Sequence, residues 1–221
     1  MKKKGKLIVL DGSDGSGKTT QIALLIAQLR HDGYRVKTTN FPNDNNFFGK
    51  LIRKSLAGKH GDFIKIDPYI VSSLYAADRF ESKDKIEKWL SEGAVVILDR
   101  YVSANQMHQG GKIKDAQKRK EFLKWLDIME HAVFGIPRPD LILYLHVPVK
   151  ISLTLIKKRA RATDMAEKDA KHLENTQKSA LRLIQAQGNW KKIDCTDGKS
   201  ILSREDIHAK IYKVVQDFVG V

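Results

Sequence analysis

Gly12, Gly17, Lys18 and Thr19 fill the pattern G-x-x-x-x-G-K-[ST] inside DGSDGSGKTTQ, Asp11 to Gln21. That spacing serves phosphate binding. Glycines let successive backbone N–H groups curl around an anion, the lysine reaches its oxygens, and the threonine hydroxyl reaches an accompanying Mg²⁺. On this reading Gly12, Ser13, Asp14, Gly15, Ser16, Gly17, Lys18, Thr19 and Thr20 hold the phosphates of ATP, and Thr19 is also a metal ligand. An apolar run, Leu7 to Leu10, precedes the loop, and Ile22, Leu25, Ile26 and Leu29 follow at helical spacing. The loop therefore sits at a helix N-terminus, where free N–H groups and the helix dipole favour an anion. A Gly-rich turn fitting the pattern by chance is the competing reading, and both flanking elements count against it.

Three further groups can join this chemistry. Asp99 and Arg100 follow the apolar run Ala94 to Leu98. A carboxylate for the metal shell and a guanidinium able to grip a second phosphate thus arrive at one strand end. A turn that caps the next helix is the alternative. Tyr75 and Arg79 lie four apart and share a helix face. The ring can stack on a base whose exocyclic oxygen the guanidinium bonds; equally, Tyr75 can be core and Arg79 a surface ion pair with Asp78 or Glu81. Lys157, Lys158, Arg159 and Arg161 end a helix just before a break. They either complement the helix dipole or belong to a mobile lid, around 157–168, whose arginines close over a transferred phosphoryl group.

The elements that must position these groups follow from hydrophobic periodicity. Strands are predicted over 7–10, 35–39, 94–98, 141–147 and 191–194. Helices are predicted from residue 22 to the Asp32-Gly33 stop and over 49–57, 68–81, 83–92, 150–161, 168–187 and 204–219. Two more fall between 103 and 134, separated by a Gly110-Gly111 turn, and Pro68 stands where a helix first residue lacks nothing by having no N–H. Strand and helix alternate throughout. The expected fold is α/β, a five-stranded parallel sheet with helices on both faces, one domain over 1–221. Ligands in such folds sit beyond the carboxyl ends of the strands, the edge that carries Asp11, Phe41, Asp99 and Asp194.

The formal charge of +14 suits a polyanionic partner, but the lysines are scattered along the chain. They read as a solvated surface, and no specific nucleic acid is expected. A single cysteine, Cys195, excludes an internal disulfide and reads as packing. The basic start Met1-Lys2-Lys3-Lys4 precedes too few apolar residues for a signal segment, and no apolar run approaches the roughly 20 needed to span a bilayer. A cytoplasmic protein without membrane contact is expected.

Taken together, DGSDGSGKTTQ, Phe41-Pro42, LYAADRFE, LDRYVSANQMHQGG, RPDLILYL and KKRARATDMAEKD resemble the bacterial thymidylate kinase family, in order over nearly the whole chain. The resemblance implies transfer of the ATP γ-phosphate to dTMP with Mg²⁺, usually by a homodimer. It assigns Lys18 to the donor phosphates, Thr19 and Asp99 to the metal, Asp14 and Arg100 to the acceptor, and Phe41, Tyr75, Arg79 and Asn105 to the acceptor pocket. Because Gly15 replaces a loop arginine of one subgroup, the catalytic arginine should be Arg159 or Arg161. Four positions depart from the family pattern. Asp44 stands near where many members carry a phosphate-gripping arginine, and an acid there should repel a phosphate. His108 replaces the aromatic that excludes a ribose 2′-hydroxyl. Ala104 replaces a serine, and Asp164-Met165-Ala166-Glu167 lacks one lid cation. Two other functions compete: a kinase for dUMP, UMP or a nucleoside, and a nucleic-acid-stimulated ATPase.

Overall fold

The computed structural model describes residues 4–12, 15–158, 166, 169–198 and 200–220. Five strands form one sheet, β1 (Lys6–Gly12), β2 (Val36–Asn40), β3 (Val95–Asp99), β4 (Leu141–His146) and β5 (Trp190–Asp194), in the order β2-β3-β1-β4-β5. All neighbours pair in parallel. The expected five-stranded parallel α/β sheet is the one found.

The pleat explains the two cores. Leu7 and Val9 of β1 pack with Val96, Leu98, Ile142 and Tyr144 on one face, while Ile8 and Leu10 pack with Val95, Ile97, Leu141 and Leu143 on the other. Alternate side chains are thus buried in opposite directions, which is why these strands read as unbroken apolar runs. Helices α1 (Lys18–His31) and α9 (Arg204–Val219) cover the second face through Leu25, Leu29, Ile207 and Ile211. The first face takes α4 (Lys83–Ser91), α5 (Val102–His108), α6 (Ala116–Asp127) and α8 (Ala170–Ala186). A smaller cluster of Ile52, Phe63 and Val71 lies under α2 (Phe47–Leu56) and α3 (Pro68–Glu81). Helix α7 (Val149–Lys158) follows β4. None of the described helices is long and apolar enough to cross a membrane.

The structure revises the sequence reading in the region between α5 and β4. Gly110-Gly111 is not a plain turn but opens a 3₁₀ helix, Gly110–Lys112, and a Cβ at Gly111 would come within 3.0 Å of the Asn175 carbonyl of α8. Beyond α6 the chain adds a π-helical turn, Ile128–Val133, which buries Glu130 completely. Wider i→i+5 turns shift the side-chain phase away from the 3.6-residue repeat, so periodicity cannot announce them. Cys195 is fully buried, and burial pushes its thiol up to about 12, in keeping with a packing role.

Candidate active site

One cavity of about 500 Å³ lies at the carboxyl edge of β1 and β3. Parallel register brings Leu10 beside Asp99, and Asn40 beside the same residue from the other side, so three strand ends deliver their loops to one place. The phosphate loop forms one wall through Gly15, Ser16, Gly17, Lys18, Thr19 and Thr20. Gly17 has φ 78° and is the N-cap of α1, which a side chain would strain. Gly15 has φ 76°, and a Cβ there would stand 3.2 Å from both the Ser152 carbonyl and Ile156 of α7. The loop is therefore held against α7. Ser16 Oγ is buried without a partner among the described residues, as a hydroxyl meant for a phosphate oxygen would be.

Gly12 behaves differently from its neighbours. It ends β1 and does not line the cavity, because it is pressed against Leu145. Its carbonyl accepts a 3.0 Å bond from Lys18 Nζ. Ser13, Asp14, Arg159 and Arg161 lie outside the described residues.

Asp99 and Arg100 both line the cavity. Arg100 sits in the left-handed region, φ 63°, an uncommon conformation for a non-glycine residue and one that clusters at functional sites. Its Nη1 lies 3.6 Å from Asp11 Oδ1 and donates to His108 Nε2 at 2.9 Å. Asp11 is fully buried and accepts from Ser103 Oγ at 2.8 Å; desolvation raises its carboxyl above the ordinary 3.8, with Arg100 and Lys18 pulling the other way. Because an arginine can only donate, His108 Nε2 must be the acceptor and its proton must sit on Nδ1. That Nδ1 faces His172 Nε2 at 3.1 Å and Thr176 Oγ1 at 3.3 Å on α8. His108 lines the cavity, and it also braces Arg100.

Phe41, Tyr75, Arg79 and Asn105 line the far end. Arg79 corrects one alternative outright: it is 1% exposed and pairs with neither Asp78 nor Glu81 but with Glu130. Nε donates to Glu130 Oε2 at 2.7 Å, Nη2 to Oε1, and Nη1 to the Tyr101 carbonyl at 3.3 Å. Asp78 instead accepts from Asn43 N–H and Asn46 Nδ2, which ties the loop before α2 to α3. Tyr75 sits with Phe63 at a ring separation of 6.4 Å, giving the pocket an apolar, aromatic wall.

Several site residues escaped the sequence reading. Arg53 of α2 lines the cavity and donates to Asp44 Oδ1 at 3.0 Å and to the Pro42 carbonyl at 3.1 Å. Asp44, the acid expected to repel a phosphate, is thus paired with a cation that itself faces the cavity. Gln109 also lines the cavity, and its buried Oε1 has no partner among the described residues. The Q-G pair of the family pattern was the available signal for it. Glu130, His172 and Lys112 carried no signal in local spacing.

Lys112 yields a pH test. Its ammonium lines the cavity, bonds only the Ile66 carbonyl at 3.4 Å among the described residues, and is lowered by burial to about 8. The unfolded chain keeps that proton up to 10.5, so the folded state is penalised below pH 8 and relieved as pH rises from 8 to 10.5. Lys112→Met should raise Tm at pH 7, with an advantage that shrinks across that window. Melting curves of both proteins at pH 7, 9 and 10 check this; a constant difference contradicts it.

Comparison with known proteins gives the family. The thymidylate kinase family model matches residues 10–210. The probable thymidylate kinase of Pyrococcus horikoshii is 36% identical over 215 residues, covering 96% of this chain and 97% of that protein. The human thymidylate kinase is 29% identical over 222 residues, covering 98% and 92%. A solved structure of the Candida albicans thymidylate kinase shares the fold with a TM-score of 0.75 at 21% identity, over 98% of this chain and 93% of that one. A phosphate loop, an Asp–Arg strand end and an aromatic pocket around one cavity, in a sequence alike from end to end, place this chain in the thymidylate kinase family.

Proposed function

We infer that the cavity binds the two substrates of one phosphoryl transfer, from ATP to dTMP, giving ADP and dTDP. A single observation carries this reading: one cavity is lined by a phosphate loop, by an aromatic pocket, and by Arg100 and Arg53. A nucleic-acid-stimulated ATPase would have no use for the aromatic pocket.

The donor phosphates lie on the loop amides, with Lys18 and Ser16 meeting their oxygens. Arg100 holds the acceptor phosphate in line, assisted by Arg53. Tyr75 stacks on the base, while Arg79, Asn105 and Gln109 reach its polar edge. The family resemblance assigns Asp14 to the acceptor sugar and phosphate, and Arg159 and Arg161 to a lid around 157–168 of a single domain; these three residues lie outside the described ones. No general base is required, since the acceptor phosphate is already an anion; positioning and charge stabilisation account for the rate.

Thr19 and Asp99 suit Mg²⁺. Both offer hard oxygen ligands on the same cavity. That is the sparse protein donor set of an ion ligated mainly by substrate phosphates. When bound, the ion would offset phosphate charge.

The deciding experiment is ADP release across dTMP, dUMP, dCMP, UMP and thymidine. Preference for dTMP is expected, and preference for any other acceptor overturns the specific reading. The UMP and dUMP pair reports whether His108 still excludes a 2′-hydroxyl.

A homodimer is part of this reading. Ile70 and Phe80 of α3 are 59% and 53% exposed, and Ile128 and Val133 of the π turn 47% and 70%. Such an apolar face suits a subunit contact. Sedimentation equilibrium should give a dimer for the wild type and a monomer for Phe80→Glu/Val133→Glu; a monomeric wild type contradicts it. A cytoplasmic location accords with the reaction proposed.

A further inference from the structure

Glu130 is a buried carboxylate that touches both polar groups at the base end of the cavity. Its Oε1 accepts from Arg79 Nη2 and also from Asn105 Nδ2, the latter at 3.4 Å, while Oε2 accepts from Arg79 Nε at 2.7 Å. One carboxylate oxygen thus sets the two side chains next to each other. Both line the cavity.

The bonding fixes what each side chain has left to offer. Asn105 Nδ2 has two partners, the Ser72 carbonyl at 3.2 Å and Glu130, and both are acceptors only. The amide therefore cannot be turned round, and Oδ1 is left as the acceptor available to a ligand. Arg79 has five N–H groups. Among the described residues three are engaged, by Glu130 twice and by the Tyr101 carbonyl, which leaves two as donors. The pocket presents a fixed acceptor beside a fixed donor.

A pyrimidine with N3–H and a 4-keto oxygen is the complement of that pair: N3–H donates to Asn105 and O4 accepts from Arg79. A 4-amino pyrimidine is opposed at both atoms, with an N3 lone pair against Oδ1 and an amino group against a guanidinium. We propose that Glu130 is the positioning residue for base specificity: by seating Arg79 and Asn105 on one carboxylate it admits a 4-keto pyrimidine and rejects a 4-amino one. This rests on the assignment of the aromatic end of the cavity to the acceptor base. Ion-pairing also fits Arg79 for a neutral carbonyl and leaves the phosphate to Arg100 and Arg53.

The test compares kcat/KM for dTMP and dCMP in the wild type, in Glu130→Gln, and in Arg79→Gln/Glu130→Gln. The ratio of two acceptors is independent of how much of a variant is folded. Because removing one partner of a buried ion pair can unfold a protein, the double variant, which leaves no unpaired buried charge, is measured alongside. A site built on hydrogen bonds discriminates strongly, so the wild type should favour dTMP by about 10³-fold or more. Both variants should lower that ratio at least tenfold, raising KM for dTMP and leaving KM for ATP within twofold. In the double variant the rotatable amide that replaces the guanidinium can meet either base, so dCMP itself should improve. A ratio unchanged within twofold in whichever variant is active, or a wild type that uses dCMP as well as dTMP, overturns the proposal. If the wild type phosphorylates no pyrimidine monophosphate, the assignment of the reaction fails instead.

Discussion

Lys18→Ala should lower kcat for phosphoryl transfer by at least about 10²–10³-fold, the loss typical of removing one preorganised charge-stabilising group. Lys18 stands at the start of α1, immediately after the left-handed Gly17, and its ammonium bonds the Gly12 carbonyl at 3.0 Å across the loop. A side chain kept there before any phosphate arrives needs no reorganisation when charge develops on the transferring group. The fold should survive, because α1 is anchored by Ile22, Leu25 and Leu29 in the core, and none of these packs through Lys18. The lost bond to Gly12 is worth only about 1 kcal/mol. Single-turnover transfer from ATP to dTMP, read beside a melting curve, separates the two effects. A variant that melts normally and keeps more than a tenth of its activity would show that the phosphates lie elsewhere.

What sequence could reveal divides along a physical line. Strands buried on both faces and a helix opened by G-K-T-T declare themselves in consecutive residues, so the sheet and the loop wall of the cavity were legible from 7–10, 94–98 and Gly15 to Thr20. The acceptor half is assembled from partners far apart in the chain. Glu130 meets Arg79 across 51 residues, and His172 meets His108 across 64. No local pattern encodes such pairs. Arg53 was hidden for a related reason: Asp44 was weighed alone, yet its meaning depends on a guanidinium nine residues away on the next helix. The π turn beyond α6 compounds the difficulty, since it carries Glu130 inward at a phase that no 3.6-residue repeat predicts.

Arg100 is where the acceptor side can be tested most sharply. Its guanidinium is held by Asp11 at 3.6 Å and His108 at 2.9 Å and still lines the cavity, a geometry open to a planar, multi-donor group. Lysine keeps the charge but loses the fork, so it cannot satisfy this bracing and grip a phosphate in two bonds. Hydrogen bonds to charged groups are worth about 1.5–3 kcal/mol, and every 1.4 kcal/mol is about tenfold. Arg100→Lys should therefore cut kcat/KM for dTMP by about 10²-fold, mostly through KM, with KM for ATP unchanged. An equal rise in KM for ATP would move Arg100 to the donor side. Arg100→Ala should add a stability defect that the lysine variant lacks, because it removes the charge facing buried Asp11. Asp11 already titrates above 3.8 in the fold, so the native state loses stability as pH rises from there toward its raised value. Without Arg100 that value climbs further and the loss extends to higher pH. The Tm penalty of Arg100→Ala should be smallest in acid and grow toward neutrality, while that of Arg100→Lys stays flat.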